Sequence, residues 1–430
     1  MQMSENTSSL ERQIDVTVPA ALFNQEVAKR LQRLSRTVKL HGFRPGKVPL
    51  KVVTQQFGQQ VEQEVLEKAL QQSFGDAIRD KSLKVAGYPR FEAKGETDGD
   101  LVFGATFEIY PEIKVGDLSG ATITRPVFEI GEAEVDRTIE NLRKQRAVFE
   151  PVERPAASGD KVDIDYEGKI DGLAFDGGAA KGLVVVLGQG AMLEDFESAI
   201  IGMSAGESKR AQVAFPEDYH GKEVAGKTAE FDITLNRVEA PVLPEFDAAF
   251  AASLGVESGD VDEVKREIAE NLGREVKKRI RAMIKDQVMQ ALLDSTKIEL
   301  PRSLVEMEAY RLADMARQDL EARGMDVKGM PFSPEIFSDQ AKKRVSLGLV
   351  LAELVGEHGL HAKPEQVRAI VEEFAQSYEE PEEFVKWHYS EPSRLNDAES
   401  LALEDNVVTW ALGVAKVEDK AVTFDELMGK

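Results

Sequence analysis

The chain has 430 residues, 54 basic against 77 acidic side chains, a formal net charge of −23 and no cysteine. The length suits about three domains, each with its own core. Without cysteine there can be no disulfide, thiolate nucleophile, Fe–S cluster or Cys-ligated zinc, which fits a reducing compartment.

In chain order, MQMSENTSSLERQ is polar and lacks both a basic n-region and an apolar h-region, which predicts no secretory signal. No apolar run approaches the roughly 20 residues of a membrane helix; VSLGLVLAELVG at 345–356 is too short. A soluble, cytoplasmic protein that does not meet a membrane is expected. Residues 10–19 alternate apolar and polar like a half-buried strand that Pro19 ends. Leu22, Phe23, Val27, Leu31, Leu34 and Val38 fall at helical steps and predict a helix over 20–40. The loop HGFRPGKVP follows, with two glycines and two prolines that bar helix, and a second helix is predicted over 50–81. Strands over 84–93 and 101–109, with Asp98-Gly99 in the turn, complete an α+β domain.

Charge is unevenly spread over that domain. Between Val27 and Val61 there is no acid, while Lys29, Arg30, Arg33, Arg36, Lys39, Arg44, Lys47 and Lys51 are all basic. A solvated helix face is one reading; a footprint for a polyanion such as RNA is the other, and the length of the run favours it.

Residues 132–149 read as a connecting helix, and EPVERPAASGD at 150–160 as a boundary. From 160 to 240, short β-branched stretches alternate with glycine turns, which predicts an antiparallel β domain with one short helix near 194–201. After Pro241 and Pro244 the chain reads as almost wholly helical. Apolar residues from Val261 to Leu292 keep helical spacing behind an Asp260–Glu263 cap, an extended limb longer than the globular average. Further helices follow Pro301, Pro334, Pro364 and Pro392.

Several motifs carry no chemistry. DIDYEGKIDG at 163–172 opens like a calcium loop, yet Ala174 stands where a bidentate Glu is required. Leu187-Gly188-Gln189-Gly190 has no third glycine and no Walker lysine, and there is no GxSxG. Of five histidines only His358 and His361 are close, beside a helix end, so no metal and no cofactor is expected.

Gly42-Phe43-Arg44-Pro45-Gly46-Lys47-Val48-Pro49 resembles the ribosome-docking loop of bacterial trigger factors. Residues 158–238 resemble FKBP-type peptidyl-prolyl isomerases through Tyr166-Glu167-Gly168, Phe175-Asp176, Leu187-Gly188, Phe196-Glu197, Phe215-Pro216-Glu217-Asp218-Tyr219 and Phe231-Asp232. The resemblance implies a proline pocket at Tyr166, Phe175, Asp176, Met192, Leu193, Phe196, Tyr219 and Phe231, with Leu183 where an aromatic is common. It departs from the family at Glu194-Asp195, where Gly commonly precedes the aromatic. Ile298-Glu299-Leu300-Pro301 resembles the turn after the first long helix of the chaperone body. Met283, Met289, Met307, Met315, Met325, Met330 and Met428 in that part could form an adaptable surface or pack between helices.

The implied fold is a multidomain α+β chain. It has a ribosome-binding domain over 1–112, a linker with the connecting helix over 113–149, an FKBP-like domain over 150–243 and a helical chaperone domain with arms over 244–430. The implied function is an ATP-independent, ribosome-associated chaperone with prolyl isomerase activity. Phe43, Arg44 and Lys47 would contact ribosomal protein and RNA at the tunnel exit. Nascent and unfolded polypeptides would be the clients, and a homodimer is compatible with the resemblance off the ribosome. A free-standing isomerase and holdase acting away from ribosomes, and a pure RNA-binding module, remain the alternatives.

Overall fold

The computed structural model describes residues 9–429 except Gly42, Arg44, Pro45, Asp98, His220, Asp326, Ser377 and Glu379. Strand β1 (Glu11–Val18) turns Val16 and Val18 inward, and Pro19 then opens α1 (Ala20–Thr37) by accepting the Phe23 N–H at 3.0 Å. α1 stops short of residue 40 because Val38 turns extended. α2 (Leu50–Asp80) follows, then β2 (Val85–Thr97) and β3 (Asp100–Ile109). The sheet order is β1-β3-β2, all antiparallel. Two apolar layers sit on it. Val27, Leu31, Val48, Val53, Val61 and Val65 join α1 to α2. Nearer the sheet, the Phe74 ring meets Phe91 and Phe107 edge-on at 5.7 and 5.2 Å.

β4 (Thr122–Val127) leads to α3 (Glu132–Gln145), which is shorter than predicted. The sequence predicts that residues 148–149 continue that helix; instead β5 (Val148–Pro151) pairs with residues 239–242, and the Phe149 ring lies 4.9 Å from the Lys161 ammonium. A β-branched residue beside an aromatic favours the pleat over a further helical turn. The β region comprises β6 (Lys161–Ile170), β7 (Leu173–Val186), α4 (Glu194–Ile200), β8 (Ser208–Ala214) and β9 (Thr228–Val242). Its order is β5-β9-β6-β7, with β8 also on β9.

Beyond it lie α5 (Ala248–Ser253), the 35-residue α6 (Val261–Ser295), α7 (Arg302–Ala322), α8 (Ser338–His358), α9 (Pro364–Ala375), α10 (Pro381–Tyr389) and α11 (Asn396–Val414). Pro334 and Pro392 each start a single 3-10 turn before the α-helix proper. At the start of α6, Asp260 accepts the Asp262 N–H at 2.9 Å. Glu263 does not reach back to the Asp260 N–H; it holds the Ser258 hydroxyl at 2.6 Å, which in turn accepts that N–H. The expected cap is therefore a relay through Ser258. The C-terminal part is not wholly helical either. β10 (Lys416–Ala421) pairs with β4, and α12 (Phe424–Met428) closes the chain. Strand β10 reads KVEDKA, too polar to announce itself without its partner.

The chain divides into two compact units, one running to Arg125 and from Arg281 to Lys420, the other 126–280 with 421–430. Within the first, Glu308 of α7 takes Arg311 at 2.7 Å and Arg344 of α8 at 3.3 Å, which holds its carboxyl below the ordinary glutamate value. A lowered acid contributes stability above its unfolded pKa and loses it as the pH falls through the folded value. Acidification from pH 6 to 3.5 is therefore expected to destabilise the wild type more than Glu308→Gln, read by denaturant unfolding at each pH. Equal losses would show the clasp to be inert.

Candidate functional site

The second unit contains an aromatic cluster built by one irregularity of the sheet. In the β6–β7 ladder Glu167 faces Ala179 and Lys169 faces Ala174, so Gly168 alone stands opposite residues 175–178. That bulge turns Phe175 toward the core and leaves Asp176 exposed. On the other side Gly168 faces Phe231 of β9. A Cβ at Gly168 would lie 2.4 Å from the Phe231 ring, so only glycine lets the ring cross this strand.

Phe231, 5% exposed, is the hub. Its centroid is 5.1 Å from Phe196, 5.8 Å from Tyr166, 6.1 Å from Phe175 and 6.5 Å from Phe215. Most of these pairs are edge-on, the arrangement that ring quadrupoles favour. Tyr219 joins through Phe215 at 4.9 Å. Met192, Leu193 and Leu183 are partly buried and pack on the same cluster. The structure thus brings together seven of the eight residues the sequence singled out, with Asp176 at the rim. Phe215 was quoted in the sequence motif but not assigned to the pocket; it touches Phe175, Tyr219 and Phe231 and belongs with them. Its signal was the Phe-Pro pair opening the Phe215–Tyr219 segment.

Three devices hold the cluster. The Leu193 carbonyl accepts the Phe196 and Glu197 N–H groups at 2.9 and 3.0 Å, which starts α4 and fixes Phe196. Asp165 of β6 accepts the Gly182 N–H at 2.7 Å and an Asn236 amide at 3.1 Å, contacts that hold its carboxyl low and pin β7 beyond its bulge. Immediately before β6, Asp160 (1% exposed) takes both Arg154 nitrogens at 2.6 and 2.8 Å and the Ala157 N–H. The two carboxylates that depart from the isomerase pattern are not equivalent: Asp195 accepts the Ala214 N–H at 3.3 Å and Glu194 stays exposed. Both lie in the first turn of α4, where the helix dipole favours them.

The first unit carries the other expected site. Phe43, 39% exposed, sits on the turn between α1 and α2 and donates its N–H to the Leu40 carbonyl at 3.1 Å. Gly46 has φ +79°, and Val48 anchors the exit of the loop in the α1–α2 core. Lys47 is exposed; Arg44 lies outside the described residues. The basic island is partly neutralised by acids just beyond its ends, Lys29 by Glu26 at 3.4 Å and Arg30 by Glu64 at 3.0 Å. Among the described residues Arg33, Arg36, Lys39, Lys47 and Lys51 form no ion pair.

Residues 1–142 match the family described as bacterial trigger factor protein, 152–236 match FKBP-type peptidyl-prolyl cis-trans isomerase, and 260–413 match the bacterial trigger factor C-terminus. The trigger factor of Nitrosospira multiformis is 55% identical over 99% of both chains. The chain belongs to the trigger factor family. The family's protein from Aromatoleum aromaticum is 52% identical over 100% of this chain and 99% of its own. A solved trigger factor chaperone structure, 20% identical, covers 96% of this chain and 100% of its own with a TM-score of 0.45. In the trigger factor C-terminal part the methionines divide: Met307, Met315, Met325 and Met330 are each 44–48% exposed, and Met289 is buried. Among the described residues no helix is long and apolar enough to cross a membrane, and no group of three or more His, Asp or Glu is placed to hold a metal.

Proposed function

We propose that the protein is a cytoplasmic, ATP-independent chaperone that docks on the ribosome, holds nascent polypeptides and isomerises their X–Pro bonds. Full-length identity to trigger factors carries this reading. The division of labour follows the sequence boundaries: 1–112 docks, 113–149 links, 150–243 isomerises and 244–430 holds clients. For docking, Phe43 is an exposed apolar anchor, Lys47 and Arg44 supply cations, and Arg33, Arg36, Lys39 and Lys51, in no ion pair among the described residues, extend the positive surface. The wider chain is acidic, which confines attraction for rRNA to this one region.

For isomerisation the pocket needs no nucleophile. Rotation about X–Pro meets a barrier of about 18–20 kcal/mol because the planar amide is resonance-stabilised. The twisted transition state is less polar, so an aromatic, water-poor surface favours it over the ground state. Tyr166, Phe175, Phe196, Phe215, Tyr219 and Phe231 offer that surface, with Met192 and Leu193 as its aliphatic wall. For holding, the four exposed methionines and Tyr310 and Ile336, 65% and 70% exposed, supply flexible apolar surface suited to clients of many shapes. Tethering beside the exit raises local client concentration, so weak contacts suffice.

Ribosome co-sedimentation of the wild type and a Phe43/Arg44/Lys47→Ala variant tests the docking half. The variant is expected to lose at least about tenfold in affinity, more than salt-matched charge removal elsewhere on α1 produces. Equal pelleting that resists salt would refute the docking loop. A loss that tracks charge alone would leave generic RNA attraction.

A further inference from the structure

Glu197 is an unusual residue in the β domain. It is 8% exposed, it follows Phe196 on α4, and its two carboxylate oxygens are treated differently. Oε2 accepts the Gly188 N–H at 3.0 Å; Oε1 is buried with no hydrogen-bond donor among the described residues. The same residue's backbone N–H donates to the Leu193 carbonyl at 3.0 Å. Glu197 therefore touches both ends of one short loop, residues 188–193. Gly188 opens that loop with φ +82°, and Met192 and Leu193 close it against the aromatic cluster.

A buried carboxylate satisfied at one oxygen is a poor way to stabilise a core. Leucine or methionine would fill the same volume beside Leu187, Ile200 and Met203, all 0–1% exposed, without desolvating a charge. The polar group makes sense as a fastener: Gly188 has a backbone donor that an apolar neighbour would leave unpaired.

Resting on the isomerase reading of the pocket, we infer that Glu197 is a positioning residue whose carboxylate clamps loop 188–193 to α4. It thereby sets the Met192–Leu193 wall against the proline ring of the substrate. It acts on the reaction through that wall and touches no substrate itself. The clamp on the Gly188 side is a single hydrogen bond, so its loss frees the loop while leaving the sheet and its aromatic hub in place.

The test uses the full chain with Glu197→Gln, Glu197→Ala and Glu197→Leu. An amide oxygen can still accept the Gly188 N–H, so the Gln variant is expected to keep kcat/KM for an X–Pro peptide within about twofold. The Ala and Leu variants are expected to lose about tenfold, with wild-type far-UV dichroism and faster amide exchange confined to residues 188–193. If Glu197 only fills space, Leu keeps the full rate and gains stability, and the clamp is overturned. A Gln variant as impaired as Ala also overturns it. If the wild type shows no catalysis, the isomerase reading fails by itself. Unchanged exchange in 188–193 of the Ala variant would then reject the clamp independently.

Discussion

Phe231→Ala is expected to bring X–Pro isomerisation down to the uncatalysed rate and to destabilise the β domain by about 3–5 kcal/mol. Both effects follow from one position. The Phe231 ring is the shared neighbour of Tyr166, Phe175, Phe196 and Phe215, and it crosses β6 where Gly168 leaves room. Removing it opens a cavity bounded by four other rings that the strand ladder prevents from collapsing. Water entering that space would solvate the planar amide and cancel the preference for the twisted form. Stability and chemistry are separable with Phe231→Leu, which keeps most of the buried volume but not the flat face; it should unfold near the wild type and still lose rate. A protease-coupled proline-peptide assay gives the rate. Both tryptophans, Trp387 and Trp410, lie outside the β domain, so its unfolding must be followed by far-UV dichroism. A Phe231→Ala protein that isomerises as fast as the wild type would sink the pocket assignment.

How much of this could be seen beforehand depended on the range of the interaction. β1, α1, α2 and α6 were legible because alternation or helical spacing encodes their buried faces locally, and Pro19 and Pro49 sit at the helix entries. β5 and β10 were not, since Val148–Pro151 and Lys416–Ala421 become strands only by pairing with β9 and β4, up to 94 positions away in the first case as the Val148–Val242 pair shows. The pocket residues could be carried over by motif because the aromatics keep their order along the chain. Their geometry could not. Nothing in the string says that Gly168 faces a four-residue bulge, that Phe215 completes the ring cluster, or that Glu197 reaches Gly188. The basic island is less positive than its run of residues implies: Glu26 reaches Lys29 within one turn of α1, and the packing of α1 on α2 brings Glu64, just outside the acid-free window, onto Arg30.

The other large effect is expected at Glu108. Strand alternation places Phe107 in the core and Glu108 on the opposite face of β3. There its carboxylate caps α7 in place of the missing local cap: Pro301 occupies the N-cap position and offers no side-chain acceptor. Oε1 accepts the Arg302 N–H at 3.0 Å, and Oε2 accepts the Ser303 N–H at 2.8 Å and the Ser303 hydroxyl at 2.7 Å. Gly87, with φ +76°, lets β2 come so close that a Cβ there would meet the Ser303 side chain at 2.5 Å. Glu108→Ala would strip a 21-residue helix of its anion and leave two N–H groups to find new partners, while the Ser303 hydroxyl keeps the Ala86 carbonyl at 3.0 Å. The expected cost is about 2 kcal/mol, at the upper end for a lost cap because charge-assisted bonds go with it. Glu108→Gln keeps one acceptor but turns an NH2 group toward N–H donors, so it should recover less than half. Trp387 and Trp410 lie in the same unit as this cap, so tryptophan fluorescence in denaturant reads the loss directly. An unchanged midpoint for Glu108→Ala would mean that α7 is held by its apolar face alone, through Leu312 and Ala309 against Ala341.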